Sequence, residues 1–301
     1  MANSNNRMAK LAGTAWGLLM LTNGIACRAE ENTVNAEAQK NAPAGMKLVW
    51  ADEFDRDGAP DPQKWDFERG FVRNEEHQWY QPDNARVKDG MLIIEAWRER
   101  RPNPNYKPGS SDWKTKREFI DYTSSSLITG KRGAWLYGRF EMRGRIDTRP
   151  GMWPAFWTVG QNGEWPGGGE IDIMEFYRGK LLANFVWGTN QRWKGNWNAK
   201  TKAIAEFNDP DWSKKFHVWT MDWDENTITL SVDGEVLNTQ DVNKTINGDA
   251  ERKNPFRAPQ TIILNLAVGG QNGGDPGVSE FPALFEVDYV RVYQKNNDTR
   301  K

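Results

Sequence analysis

Alternation between apolar and charged residues runs through this chain and commits it to β-structure. In 138–146, Phe140, Met142 and Ile146 alternate with Arg139, Glu141, Arg143 and Arg145. A period of two sends one set toward a core and the other toward solvent. Residues 227–232 alternate again, then turn at Asp233-Gly234 into 235–237. Residues 87–97 hold an Asp-Gly turn signal followed by a strand, and 261–268 and 285–293 complete the pattern. No long helical period competes with these runs. Many short strands between Gly-, Pro- and Asn-rich loops predict an all-β chain folded as an antiparallel sandwich. Composition neither breaks nor repeats across 47–294, so a single domain at 46–295 is the simplest count.

Of the 301 residues, 38% are hydrophobic, enough for a substantial core. Sixteen are Trp. A buried indole needs a partner for its N–H, so many of these rings are expected to line a surface or cleft. A formal net charge of -1 argues against nucleic acid as a partner, since phosphate backbones are bound by clustered cations.

The N-terminus reads separately. Arg7 and Lys10 precede the apolar run 11–21, which ends in Gly-Ile-Ala before Cys27. A charged segment, a short apolar segment and small residues form an export signal, too short to favour a spanning helix. Cys27 is the one cysteine, so no intrachain disulfide can form. Its placement resembles that of a bacterial lipoprotein signal, with Gly24 where leucine is usual. The expectation is a signal at 1–27, then a polar tether at 28–45. An exported chain held on a bacterial outer membrane or cell surface through lipidated Cys27 follows, with plain secretion or a periplasmic location as the alternative.

The chemistry concentrates at Glu170-Ile171-Asp172-Ile173-Met174-Glu175. In a regular strand Glu170 and Asp172 share a face, and Glu175, at an odd offset, would point the other way. One extra residue in a bulge around Ile173-Met174 returns Glu175 to that face, and also curves the sheet. Ile171 and one or both of Ile173 and Met174 then face the core. Three crowded acids push one another toward protonation, which yields the ionised and protonated partners that acid–base chemistry requires. Glycoside cleavage with retention needs two carboxylates about 5–5.5 Å apart, and inversion about 6.5–9.5 Å. Two acids on one bulged strand favour the shorter distance. Glu170 then reads as the nucleophile, Glu175 as the acid/base, and Asp172 as the residue that holds the proton balance. A solvated acidic face or a cation site is the plainer reading. Metal-dependent hydrolysis is disfavoured, because His77 and His217 are the only histidines and neither has ligand spacing.

Flat rings suit the apolar faces of sugars. Trp153 and Trp157 lie just upstream of the acids, and Trp187, Trp193 and Trp197 downstream. Trp153 is the preferred platform; Trp157, two residues on, either shares its face or packs in the core, and Trp187, Trp193 and Trp197 are read as outer subsites. Asn74, Glu76, Gln78, Trp79 and Tyr80 form a polar–aromatic patch suited to sugar hydroxyls. Residues 98–118 carry no strand or helix pattern, and Tyr106 and Trp113 suggest a role at a cleft rim. His217 reads as structural.

Glu-Ile-Asp-Ile-Met-Glu, with Gly-Met-Trp-Pro-Ala-Phe-Trp before it and Phe-His-Val-Trp-Thr-Met-Asp-Trp and Val-Asp-Tyr-Val-Arg-Val-Tyr after it, resembles glycoside hydrolase family 16. The likeness implies a jelly-roll sandwich with a concave cleft and an endo-acting, retaining monomer that takes a polysaccharide or glycan chain. It implies the same roles for Glu170, Asp172 and Glu175, and places Asn74 to Tyr80 and Trp153 around the attacked sugar. No cofactor is needed for the chemistry. Some members hold a structural calcium on the convex side, here at Glu53 and Asp288. The bulged motif is similar to that of laminarinases and mixed-linkage glucanases. Phe176, where those often have His, and the excursion at 98–118 keep an endo-β-galactosidase acting on mucin or keratan-type glycans as the alternative. Algal galactanases and non-catalytic glycan-binding proteins share the sandwich.

Overall fold

A computed structural model describes residue 36 and residues 38–296. Among them two sheets stack face to face. The inner, seven-stranded sheet runs in the order 195–203, 180–188, 170–177, 152–160, 260–268, 126–128, 66–67. The outer sheet runs 235–241, 227–232, 217–223, 138–146, 283–295, 91–102, 119–124, 78–80, with 46–52 and 85–88 pairing alongside. Apart from the parallel pair 78–80 and 119–124, the pairings are antiparallel. This is the expected all-β jelly-roll sandwich.

The alternation acts as the sequence implies. Phe140, Met142 and Ile146 are buried, and across the interior they meet a single cluster that includes Ile171, Ile173, Met174, Phe185, Leu264 and Leu266. Fully burying a side chain of this size contributes about 1.5–3 kcal/mol. The charged residues of 138–146 lie on the outside and pair across strands. Arg139 bonds Asp222 through two nitrogens at 2.8 and 2.7 Å, and Arg145 holds Glu286 in the same way.

On that outer face the two residues of the calcium expectation have other partners. Arg291 grips both oxygens of Glu53 at 2.7 Å, and Arg143 bonds Asp288 at 2.5 Å. Each carboxylate is already neutralised by a guanidinium. No group of three or more His, Cys, Asp or Glu side chains is set to hold a metal among the described residues. Glu53 and Asp288 are thus both engaged in ion pairs.

Cys27, the export signal and most of the expected tether fall outside the described residues. The tether's described end is packed: Ala38 is buried, and Gln39 Oε1 accepts from Leu48 N–H at 2.7 Å. Among the described residues no helix is long and apolar enough to cross a membrane. The excursion at 98–118 also differs from its reading as patternless. Residues 98–102 extend the strand 91–102, and 113–116 form a helical turn capped by Asp112.

Candidate active site

The strand 170–177 is bulged where the acids require it. On one side its register runs Asp172↔Trp157 and then Met174↔Phe156, so Ile173 is the extra residue. On the other side Asp172 opposes Asn184 and Glu175 opposes Leu182. Ile171, Ile173 and Met174 all enter the core, and Glu170, Asp172 and Glu175 all line one groove of about 610 Å³. Glu170 and Glu175 are half-buried, whereas Asp172 between them is only 6% exposed. Glycine makes the approach to this strand possible. A Cβ on Gly160 would fall 2.1 Å from the Gly168 carbonyl oxygen, and Gly169 has φ +80°.

Each acid has its own donors. The Trp165 indole N–H donates to Glu170 Oε2 at 2.9 Å, and the Trp153 indole N–H to Glu175 Oε1 at 2.7 Å. The Asn184 amide bridges Asp172 Oδ2 at 2.9 Å and Glu175 Oε2 at 3.2 Å. Burial pushes all three carboxyls well above the usual carboxylate range. Repulsion from Asp172 adds to this at Glu170, where the Trp165 hydrogen bond and the Arg73 charge pull back. Glu175 faces Asp172, Glu170 and Glu76, all of which raise it further. Glu175 thus has the most like-charged neighbours, and Glu170 has a cation, Arg73, acting against its rise.

One flank of the groove is built around Trp157. Its indole N–H donates to Asn265 Oδ1 at 2.7 Å, and the Arg73 guanidinium lies 5.0 Å from the ring. Arg73 is ion-paired to Glu68, whose other oxygen accepts from Ser126 Oγ at 2.7 Å. Below lies a hydrogen-bonded layer. Asn265 Nδ2 donates to Tyr80 Oη at 3.1 Å, and Gln78 Nε2 donates to Glu76 Oε2 at 2.7 Å. Asn74 Nδ2 reaches Glu76 Oε1 at 3.3 Å.

The predicted site residues divide accordingly. Asn74, Glu76, Trp153, Trp157, Trp197 and the three acids line the groove. Gln78 and Tyr80 do not: both are fully buried, Gln78 also accepts from Val268 N–H at 2.7 Å, and they support Glu76 from beneath. Trp153 is 5% exposed, and its main polar contact is with Glu175, so it works more as a hydrogen-bond donor than as a bare platform. Trp187 packs against the core instead of the groove. It shares the parity of Ala183 and Phe185, opposite to Asn184 on the same strand. Trp193 is exposed on a turn with Arg192 4.9 Å above its ring, outside the groove lining. Tyr106 and Trp113 also lie outside that lining. His217 is structural, held between Asp233 Oδ2 at 2.6 Å and the Trp212 carbonyl at 2.8 Å.

Sequence reasoning missed Glu68, Arg73, Asn184 and Asn265, and assigned Trp165 no role. Trp165 sits five residues before Glu170 in a Gly-rich turn, a signal that was available. Asn184 and Asn265 come from the strands 180–188 and 260–268, and Glu68 and Arg73 from the loop between 67 and 78, so all four are found only once the chain is folded.

Comparison with known proteins agrees with this geometry. Residues 76–291 match the family model described as glycosyl hydrolases family 16. A β-glucanase of Rhodothermus marinus is 36% identical over 261 residues, covering 82% of this chain and 85% of that protein. Among solved structures, one from work on endo-acting O-glycanases that initiate mucin breakdown in human gut microbiota has a TM-score of 0.77. It is 35% identical and covers 85% of this chain and 93% of that one. The laminarinase catalytic domain of Thermotoga maritima MSB8 has a TM-score of 0.70 at 31% identity, covering 84% of this chain and 99% of that one. The matched span contains the bulged strand, both of its neighbours and all three acids, and on that ground the chain belongs to glycosyl hydrolases family 16.

Proposed function

We propose that this chain hydrolyses internal bonds of β-1,3-glucan or mixed-linkage β-glucan, with retention at the anomeric carbon. One observation carries the chemistry. Two half-buried carboxyls open onto a groove from one bulged strand, with a covered third acid between them. In the first step Glu170 attacks the anomeric carbon as the glycosidic bond breaks, and Glu175 gives its proton to the leaving oxygen. The product is a glycosyl ester on Glu170. Glu175, now ionised, is stabilised by the Trp153 and Asn184 donors. It then takes a proton from water, whose oxygen attacks the anomeric carbon and frees Glu170. Asp172 keeps a charge or proton between the two, oriented by Asn184.

The glucan choice is supported by the β-glucanase and laminarinase likenesses. A second reading, an endo-β-galactosidase on mucin or keratan-type glycans, is favoured by the TM-score of 0.77 to the O-glycanase structure. A non-catalytic glycan-binding role is disfavoured by the presence of all three acids in one groove. The test is incubation with laminarin, lichenan, agarose, keratan sulfate and mucin glycans, sizing the products and following the anomer released by NMR. A ladder of β-configured oligosaccharides from laminarin or lichenan supports the proposal. Monosaccharide as the sole early product, or the α-anomer released first, refutes it.

Export and anchoring through Cys27 belong to the same proposal, supported by the N-terminal sequence alone. Labelled fatty acid should enter the full chain in a bacterial host and be lost in Cys27→Ala; equal labelling would refute lipidation at this cysteine. The groove is complete within one chain, which supports action as a monomer.

A further inference from the structure

We propose that Arg117 is a positioning residue for the glycan groove, through which the excursion 103–118 holds the turn at 73–76 in shape. The inference rests on the reading of the groove as a glycan site. It gives a role to a segment that contributes no side chain to the groove lining.

The turn is where the need arises. Glu76 N–H donates to the Arg73 carbonyl at 3.1 Å, and the two residues between them are left-handed, with φ of 54° at Asn74 and 49° at Glu75. Two successive positive φ values make a type I′ turn, which glycine and asparagine adopt readily and glutamate does not. Such a backbone persists where its surroundings hold it. Here three successive carbonyls accept from outside the turn. Gln271 N–H donates to Asn74 O at 2.9 Å, Arg117 Nη2 to Glu75 O at 2.7 Å, and Arg117 Nη1 to Glu76 O at 2.5 Å. One guanidinium thus supplies two of the three donors.

Arg117 is itself fixed. Its guanidinium carbon lies 4.8 Å from the Phe71 ring and 5.1 Å from the Trp113 ring. A planar, delocalised cation suits that seat, and its fork matches two neighbouring carbonyls. The excursion is tied at its base, where Asn103 Nδ2 donates to the Arg117 carbonyl at 2.7 Å and the Lys114 carbonyl at 3.1 Å. Lys107 N–H donates to Thr115 O at 2.8 Å. The path is short: an anchored loop holds Arg117, Arg117 holds the turn, and the turn presents Arg73, Asn74 and Glu76 to the groove.

The full chain carrying Glu170→Gln can bind without cutting, so oligosaccharides of whichever polymer the wild type cleaves serve as probes for calorimetry. Adding Arg117→Ala should weaken Kd about tenfold. In the otherwise wild-type chain it should raise KM while kcat at saturation stays within about threefold. Arg117→Lys should fall between, because an ammonium keeps the charge near the two rings but does not span both carbonyls. A purely structural role would lower the melting temperature and leave the Kd of folded protein unchanged. Kd within about twofold of the parent in folded Arg117→Ala overturns the inference, and if that variant does not fold, Arg117→Lys is read by the same criterion. A wild-type chain inactive on every β-glycan overturns the functional reading and this inference with it. An active wild type with unchanged Kd in the variant overturns this inference alone.

Discussion

Two indole N–H groups hold the two working acids, and removing them one at a time should move opposite sides of the pH–rate profile. Trp165→Phe deletes the donor 2.9 Å from Glu170 Oε2 while keeping an aromatic ring. A hydrogen bond to a charged group contributes about 1.5–3 kcal/mol, and Trp165 is 37% exposed, so water can replace part of it. A net loss of about 1.4 kcal/mol corresponds to about one pH unit. The sign follows from which form is bonded. The donor stabilises ionised Glu170 and lowers its pKa, so deletion raises that pKa, and the nucleophile becomes protonated at higher pH. The acidic limb of kcat/KM should therefore move up by about one unit, with the alkaline limb in place.

Trp153→Phe does the same to Glu175, whose pKa the indole also lowers. In the proposed mechanism Glu175 carries a proton at the start of the reaction, so raising its pKa extends activity upward: the alkaline limb moves and the acidic limb stays. Because the acids titrate together, the comparison between the two variants is the informative quantity. The assay is kcat/KM from pH 4 to 10 on a soluble polymer, with folding checked by near-UV circular dichroism. If Trp165→Phe moves the alkaline limb, or both variants move the same one, the assignment of nucleophile and acid is wrong.

Three further predictions concern the same scaffold. Glu175→Gln should lower kcat by about 10²–10⁴-fold on unactivated polymer, and a substrate with a good leaving group that needs no proton should recover much of the first step. Preservation of full activity on polymer would refute its role. Trp187→Ala should lower the unfolding free energy by about 2–3 kcal/mol, with KM unchanged, because the ring packs on the core. Trp197→Ala should do the reverse, raising KM with stability unchanged, since that ring is 52% exposed in the groove. Calorimetric scans with EDTA and with added calcium should give melting temperatures within about 1 °C, because arginines already neutralise Glu53 and Asp288. A calcium-dependent rise of several degrees would refute that reasoning.

Local pattern alone determined a good deal here. Alternation in 138–146 and 227–232 specified which residues enter the core, because a strand's two faces are fixed by parity within a few residues. The offset of five between Glu170 and Glu175 specified a bulge, since both acids reach one groove only if one residue is skipped. Parity also explains the failures. Gln78 and Tyr80 share a face with Glu76, but the sequence does not say how deep that face lies, and only Glu76 of the three lines the groove. Trp187 looked like a neighbour of Trp193 and Trp197, and its strand faces it inward.

Only tertiary structure decided which partners each acid has. Asn184 meets Asp172 because two strands pair in one register, and Arg73 and Asn265 meet Trp157 across still longer separations. Those contacts depend on strand order and register, which are set by the packing of the whole sandwich rather than by any short run of residues. The identity of the three acids was therefore legible in the chain, whereas the different charges and donors around each were decided by the neighbours that folding brings to them.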